Sequence, residues 1–91
     1  MKKKPANKSE RAHMSKVAQL GCIACSILGY ETPCVEIHHI RPGRNHKKVI
    51  PLCVRHHRGD KNAIHSSKVN FERDFGTELE LLEKVNGMVA A

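Results

Sequence analysis

Hydrophobic spacing divides the chain into short segments. Residues 9 to 20 read as a helix: Met14, Val17 and Ala18 share a face, Ser9 can cap it and Gly21 can end it. Residues 34 to 40 are rich in β-branched side chains and read as a strand. Alternation sends Val35, Ile37 and His39 to one side of it and Glu36, His38 and Ile40 to the other. A loop from Arg41 to His46 follows, and residues 48 to 53 read as a second, antiparallel strand, with Pro51 marking its end as an edge or exit. Val54 to Arg58 suggests one helical turn. Ser66 or Ser67 can cap a helix running to Phe75, with Phe71 and Phe75 on one face, and Gly76 ends it. Thr77-x-x-Glu80 fits a capping box opening a last helix, with Leu79, Leu82 and Val85 expected inward. The reading is α+β, with residues 1–8 a basic flexible tail and 9–91 one domain.

A 91-residue domain with three aromatics, Tyr30, Phe71 and Phe75, buries little surface and needs a staple. The four cysteines, at 22, 25, 34 and 53, make that staple a metal or disulfides. The basic start lacks an apolar stretch of the kind a secretory signal needs, and no segment has the length of a membrane span. A cytoplasmic location is therefore expected, and reduced thiols with it, so Cys22-x-x-Cys25 reads as metal-binding. Two thiolates from one tight turn can occupy adjacent corners of a zinc tetrahedron, and Cys53-x-x-His56 offers a second pair at the same spacing. Cys34 competes with His56 for the last corner. A thioredoxin-like redox site would need a βαβ unit that the pattern does not contain.

Charge sharpens the picture. The net charge is +7. Through Lys68 there are fourteen Lys or Arg against four acids, and beyond it two against five. The positive field lies with the histidines, as expected for a polyanionic partner such as DNA. His38 and His39 end the first strand and point to opposite faces. One can bind a metal while the other serves as a general base, and His57 and His65 are available to join the metal-facing ring.

These motifs carry a resemblance. From Gly21 to Val85 the chain resembles an HNH endonuclease of the ββα-metal type. Glu36-Ile-His-His-Ile-x-Pro42 is similar to that family's first motif, and Leu52-Cys-x-x-His-His57 to its second-strand exit. The segments Leu20-Gly-Cys-Ile-x-Cys25, Ile50-Pro-Leu-Cys-x-x-His-His-Arg-Gly59 and Phe71-Glu-Arg-x-Phe-Gly-Thr-Glu-Leu-Glu-Leu-Leu82 resemble a phage branch, the Ref family of recombinase-dependent nucleases.

The two matched half-sites point to structural zinc at Cys22, Cys25, Cys53 and His56, and the resemblance implies a DNA-cleaving enzyme with a catalytic magnesium or manganese (zinc as an alternative occupant). It implies His39 as general base and His38 and His57 as metal ligands. Where the family's last ligand falls, one turn after His57, this chain has Lys61, and His65 is the nearest substitute. Asn45 or His46 is placed to brace the loop. Arg41, Arg44, Lys47, Lys48 and Arg58 are the expected phosphate contacts, and a RecA-type filament is the expected partner, in the bacterial cytoplasm or nucleoid. The competing reading is a zinc-stabilised DNA-binding module without catalysis.

Overall fold

The computed structural model describes residues 5–41, 43 and 45–90. In chain order they form α1 (Lys8–Gln19), α2 (Ile23–Ile27), β1 (Glu36–His39), β2 (Val49–Leu52), a π-helical turn (Arg55–Gly59), α3 (Lys68–Phe75) and α4 (Glu78–Ala90). The architecture is α+β, a two-stranded sheet surrounded by helices.

The strands are antiparallel, with Glu36 opposite Leu52, Ile37 opposite Pro51, His38 opposite Ile50 and His39 opposite Val49. Every residue of β2 is buried, and α1, α2 and α4 all pack on it. Pro51 sits inside this strand, so of the two expectations it marks an edge and not an exit. A two-stranded sheet consists only of edges, so its missing N–H is tolerated. Val17, Ile23, Val49, Ile50, Leu52, Phe71, Phe75, Leu81, Leu82 and Val85 form the core.

Helix α1 begins earlier than Ser9. Asn7 is its cap: Asn7 Oδ1 accepts from the Glu10 N–H at 2.8 Å and Glu10 Oε1 accepts from the Asn7 N–H at 2.9 Å. This reciprocal box satisfies two orphan donors at once, which a lone Ser9 hydroxyl cannot do. The ordered chain therefore reaches into the segment expected to be tail, of which residues 1–4 lie outside the described residues.

Gly21 ends the α1 corner with φ 79°. The following Cys22 N–H donates to Thr32 O at 2.9 Å, and a Cβ on Gly21 would lie 3.0 Å from that same oxygen. The corner delivers Cys22 to the N-terminus of α2.

Ser67 caps α3, and Thr77 caps α4 in the expected box: the Glu80 N–H donates to Thr77 Oγ1 at 3.1 Å and the Thr77 N–H to Glu80 Oε1 at 2.9 Å. The inward face of α4 differs from expectation. Leu79 is 67% exposed, and Leu81, Leu82 and Val85 are buried. The inward stripe begins with Glu78, whose carboxylate turns towards β1, and that rotation leaves position 79 outside.

Candidate metal centres and active site

Cys22, Cys25, Cys53 and His56 converge, all four buried, with ligand atoms within 4.8 Å of one another. Cys22 caps α2, and its Sγ accepts from the Cys25 N–H at 3.4 Å. Cys53 leaves β2 and His56 sits in the π-helical turn, its ring edge-on to Phe75. Sγ of Cys25 and Sγ of Cys53 are 3.7 Å apart. His56 Nδ1 lies 3.7, 3.4 and 3.2 Å from Sγ of Cys22, Cys25 and Cys53. Tetrahedral zinc would set S···S at about 3.8 Å and S···N at about 3.5 Å.

The donor set therefore fits a closed, four-ligand metal such as zinc. Burial pushes the Cys22 thiol up to about 12, so a thiolate there needs a cation beside it. Burial, with the charge of Arg55, pushes His56 down, a shift towards the neutral form that a metal ligand requires. Cys34 is exposed and stands apart from this group. Between the two candidates for the last corner, the fold brings in His56.

A second cluster contains His38, His57 and His65. His38 Nδ1 lies 3.2 Å from His57 Nε2, and His65 Nε2 lies 3.0 Å from the same His57 atom. The spacing expected for imidazoles at adjacent corners of a tetrahedral ion is about 3.3 Å. His65 reaches this place through the backbone. The Ile64 N–H donates to His56 O at 2.9 Å and the His65 N–H to His57 O at 3.0 Å, folding the segment after the π-helical turn back on it. Lys61, at the position where the resemblance puts a ligand, is exposed and is not in the cluster.

Burial lowers the pKa of His38 against the pull of Glu78, and burial together with neighbouring His57 lowers that of His65. Two acids flank the trio. Glu78 Oε2 is 2.8 Å from His38 Nε2, and Glu36 Oε1 is 2.8 Å from His57 Nδ1. Neither acid stood out in the sequence as a site residue. The available signal was Glu36 on the same strand face as His38, two residues before it; for Glu78, forty residues away, there was none.

The cysteine cluster is buried throughout, whereas the trio is partly exposed and opens onto a cleft of about 360 Å³ lined by Ile37, His38, His39, Arg41, Gly43, His57 and His65. A partly open set of three ligands is the pattern of a metal that keeps a position for water or substrate. His39 lies outside the trio. Its Nε2 is 3.0 Å from His46 Nδ1, and the two rings meet edge-on. Asn45 also shapes the loop: its Oδ1 accepts from the Lys47 N–H at 2.9 Å and its carbonyl from the Lys48 N–H at 3.0 Å.

The expected phosphate contacts are distributed unevenly. Arg41 lines the cleft. Lys47 is exposed and donates to Ser9 Oγ at 3.1 Å. Lys48 and Arg41 border a neighbouring groove with Lys68. Arg58 is engaged with Glu36 through hydrogen bonds of 3.1 and 2.8 Å. Arg44 lies outside the described residues.

Fold and site together define a small α+β protein with one closed Cys/His cluster fit for a metal and one histidine cluster open to a cleft bordered by Arg41. The model of the family described as "Recombination enhancement, RecA-dependent nuclease" matches residues 6–90, and the chain belongs to that family. No curated protein matches it. No helix among the described residues is long and apolar enough to cross a membrane.

Proposed function

We propose that this protein is a metal-dependent endonuclease of the HNH type that hydrolyses DNA phosphodiester bonds, acting on DNA engaged by a RecA-type filament. The observation that carries this reading is the meeting of His38, His57 and His65 beside His39 at one cleft wall. Family membership supports the nuclease activity and the recombinase partner. In this reading β1, β2 and the π-helical turn form the ββα-metal unit of a single domain that includes the Asn7 cap of α1. The Cys22, Cys25, Cys53 and His56 cluster holds structural zinc.

His39 takes a proton from water as that water attacks phosphorus in line, and the bond to the 3′ oxygen breaks. Imidazole titrates near neutrality, so it can accept this proton without extreme burial. His46 steadies the His39 ring at the cleft edge. Arg41 neutralises the phosphate at the cleft. His38, His57 and His65 would hold a divalent cation, magnesium or manganese in use, whose chemistry is to offset charge at the phosphate and the leaving oxygen. Imidazole ligands suit zinc better than magnesium or manganese, which prefer oxygen donors, so zinc is the alternative occupant. Phosphate contacts dominate such an interface and carry little sequence information, so cleavage is weakly specific.

The test is cleavage of plasmid and single-stranded DNA in magnesium, manganese or EDTA, with and without a recombinase filament, beside His39→Ala. Metal-dependent cutting lost in His39→Ala is the expected result. An inactive parent on every substrate, with tight DNA binding retained, would replace the enzyme with a zinc-stabilised binding module.

A further inference from the structure

We infer that Glu36 and Glu78 are positioning residues that select which ring nitrogen His57 and His38 turn towards the cleft. The inference rests on the reading of the histidine trio as a metal centre. A neutral imidazole has one N–H and one lone pair, and only the lone-pair nitrogen can bind a cation. A carboxylate only accepts hydrogen bonds. The nitrogens 2.8 Å from these acids, His57 Nδ1 and His38 Nε2, must therefore carry the protons. Each acid is also held by a cation: Lys68 Nζ lies 3.0 Å from Glu78 Oε1, and Arg58 Nη2 lies 2.8 Å from Glu36 Oε2.

The lone pairs are then left on His57 Nε2 and His38 Nδ1, which face each other at 3.2 Å. The two rings thus present opposite nitrogens to one point, and a different carboxylate makes each choice. The Nε2–H form is the commoner one for a histidine in water. Glu78 reinforces that preference at His38, while Glu36 works against it at His57. Both acids are rigidly placed. Glu36 opens β1 on the face of His38, and Glu78 is the first residue of α4, beside the Thr77–Glu80 box. Carboxylates behind metal-binding histidines usually change metal affinity about 10–100-fold when removed.

Two measurements test this on protein whose cysteine cluster is filled with zinc. Long-range proton–nitrogen spectra of the histidine rings, taken before any second metal is added, read the tautomers directly. His57 should be Nδ1–H and His38 Nε2–H in the parent. Glu36→Ala should convert His57 towards Nε2–H. Calorimetric titration with manganese should then show affinity lowered about 10–100-fold in Glu36→Ala and less in Glu78→Ala. Glutamine at either position should restore part of the loss, because its carbonyl still accepts from the ring. Opposite tautomers in the parent, or unchanged spectra and affinity in both alanine variants, would overturn the inference. A parent that takes up no manganese would remove the metal-centre reading, while its spectra would still decide the tautomers.

Discussion

His38 and His39 are joined by one peptide bond yet belong to different groups: His38 Nδ1 faces His57 Nε2 at 3.2 Å, and His39 Nε2 faces His46 Nδ1 at 3.0 Å. Strand alternation forces the separation. In the proposed mechanism it divides labour between metal binding and proton transfer. His39→Ala should lower cleavage by ~10²–10⁴-fold, the usual cost of losing a general base, with metal content and thermal stability little changed. His38→Ala should instead weaken the second metal, and added manganese should recover part of its activity. A nicking assay paired with metal analysis separates the two. Full activity in His39→Ala with a dead His38→Ala would exchange the roles.

Cys22 and Cys34 make a matched pair of thiols for testing the zinc assignment. Cys22 is buried in the four-ligand cluster, and Cys34 is exposed outside it. Cys22→Ser should leave the protein largely unfolded, because metal binding supplies folding free energy in domains of this size. Cys34→Ser should change stability by no more than about 0.5 kcal/mol, as expected at an exposed site. Circular dichroism melts and elemental analysis check both. Folded protein containing no zinc would contradict the assignment.

Gly21→Ala should destabilise the protein by about 1–3 kcal/mol. Its φ of 79° disfavours any side chain, and the new methyl would press on Thr32 O at 3.0 Å. That oxygen accepts from the Cys22 N–H, so the strain falls on the corner that delivers a cluster thiol. Denaturant midpoints read the loss. Wild-type stability in Gly21→Ala would mean that the corner relaxes without cost.

DNA affinity should fall steeply with salt, because counterions are released as cations meet phosphates. The cations should not contribute equally. Arg41→Ala and Lys48→Ala should each reduce the salt slope by about 1. Arg58→Ala should reduce it less, since its guanidinium must first leave Glu36. Binding titrations at several salt concentrations check this, and equal effects for the three would show that Arg58 is released at no cost.

The sequence made some parts of the molecule plain and concealed others for physical reasons. The convergence of Cys22, Cys25, Cys53 and His56 was legible because two x-x spacings encode chelate geometry locally. The strand pair and the Thr77–Glu80 box were legible because alternation and capping are also local. The rotation of α4 was not, since Leu79 and Leu81 are equally apolar and the helix could bury either. A hydrogen bond with His38, forty residues earlier, places Glu78 inward and decides the matter. The return of His65 depended on two backbone hydrogen bonds to the π-helical turn, which no side-chain pattern announces. Asn7 was missed as a cap because the hydrophobic spacing that located α1 starts only at Met14.

His56 and His57 repeat the arrangement of His38 and His39, with consecutive rings turned to separate clusters, here the cysteine-rich group and the histidine trio. Only one peptide unit of the π-helical turn lies between them, so a disturbance of the first ring is delivered to the second. If both clusters hold metal as proposed, inactivation by a chelator is ambiguous as a diagnostic: stripping an ion from the cysteine cluster would disturb His57 even with metal restored at the cleft. In the proposed mechanism, the metal at the histidine trio is then to be identified by exchange under conditions that keep zinc in the cysteine cluster, with zinc retention measured in the same sample.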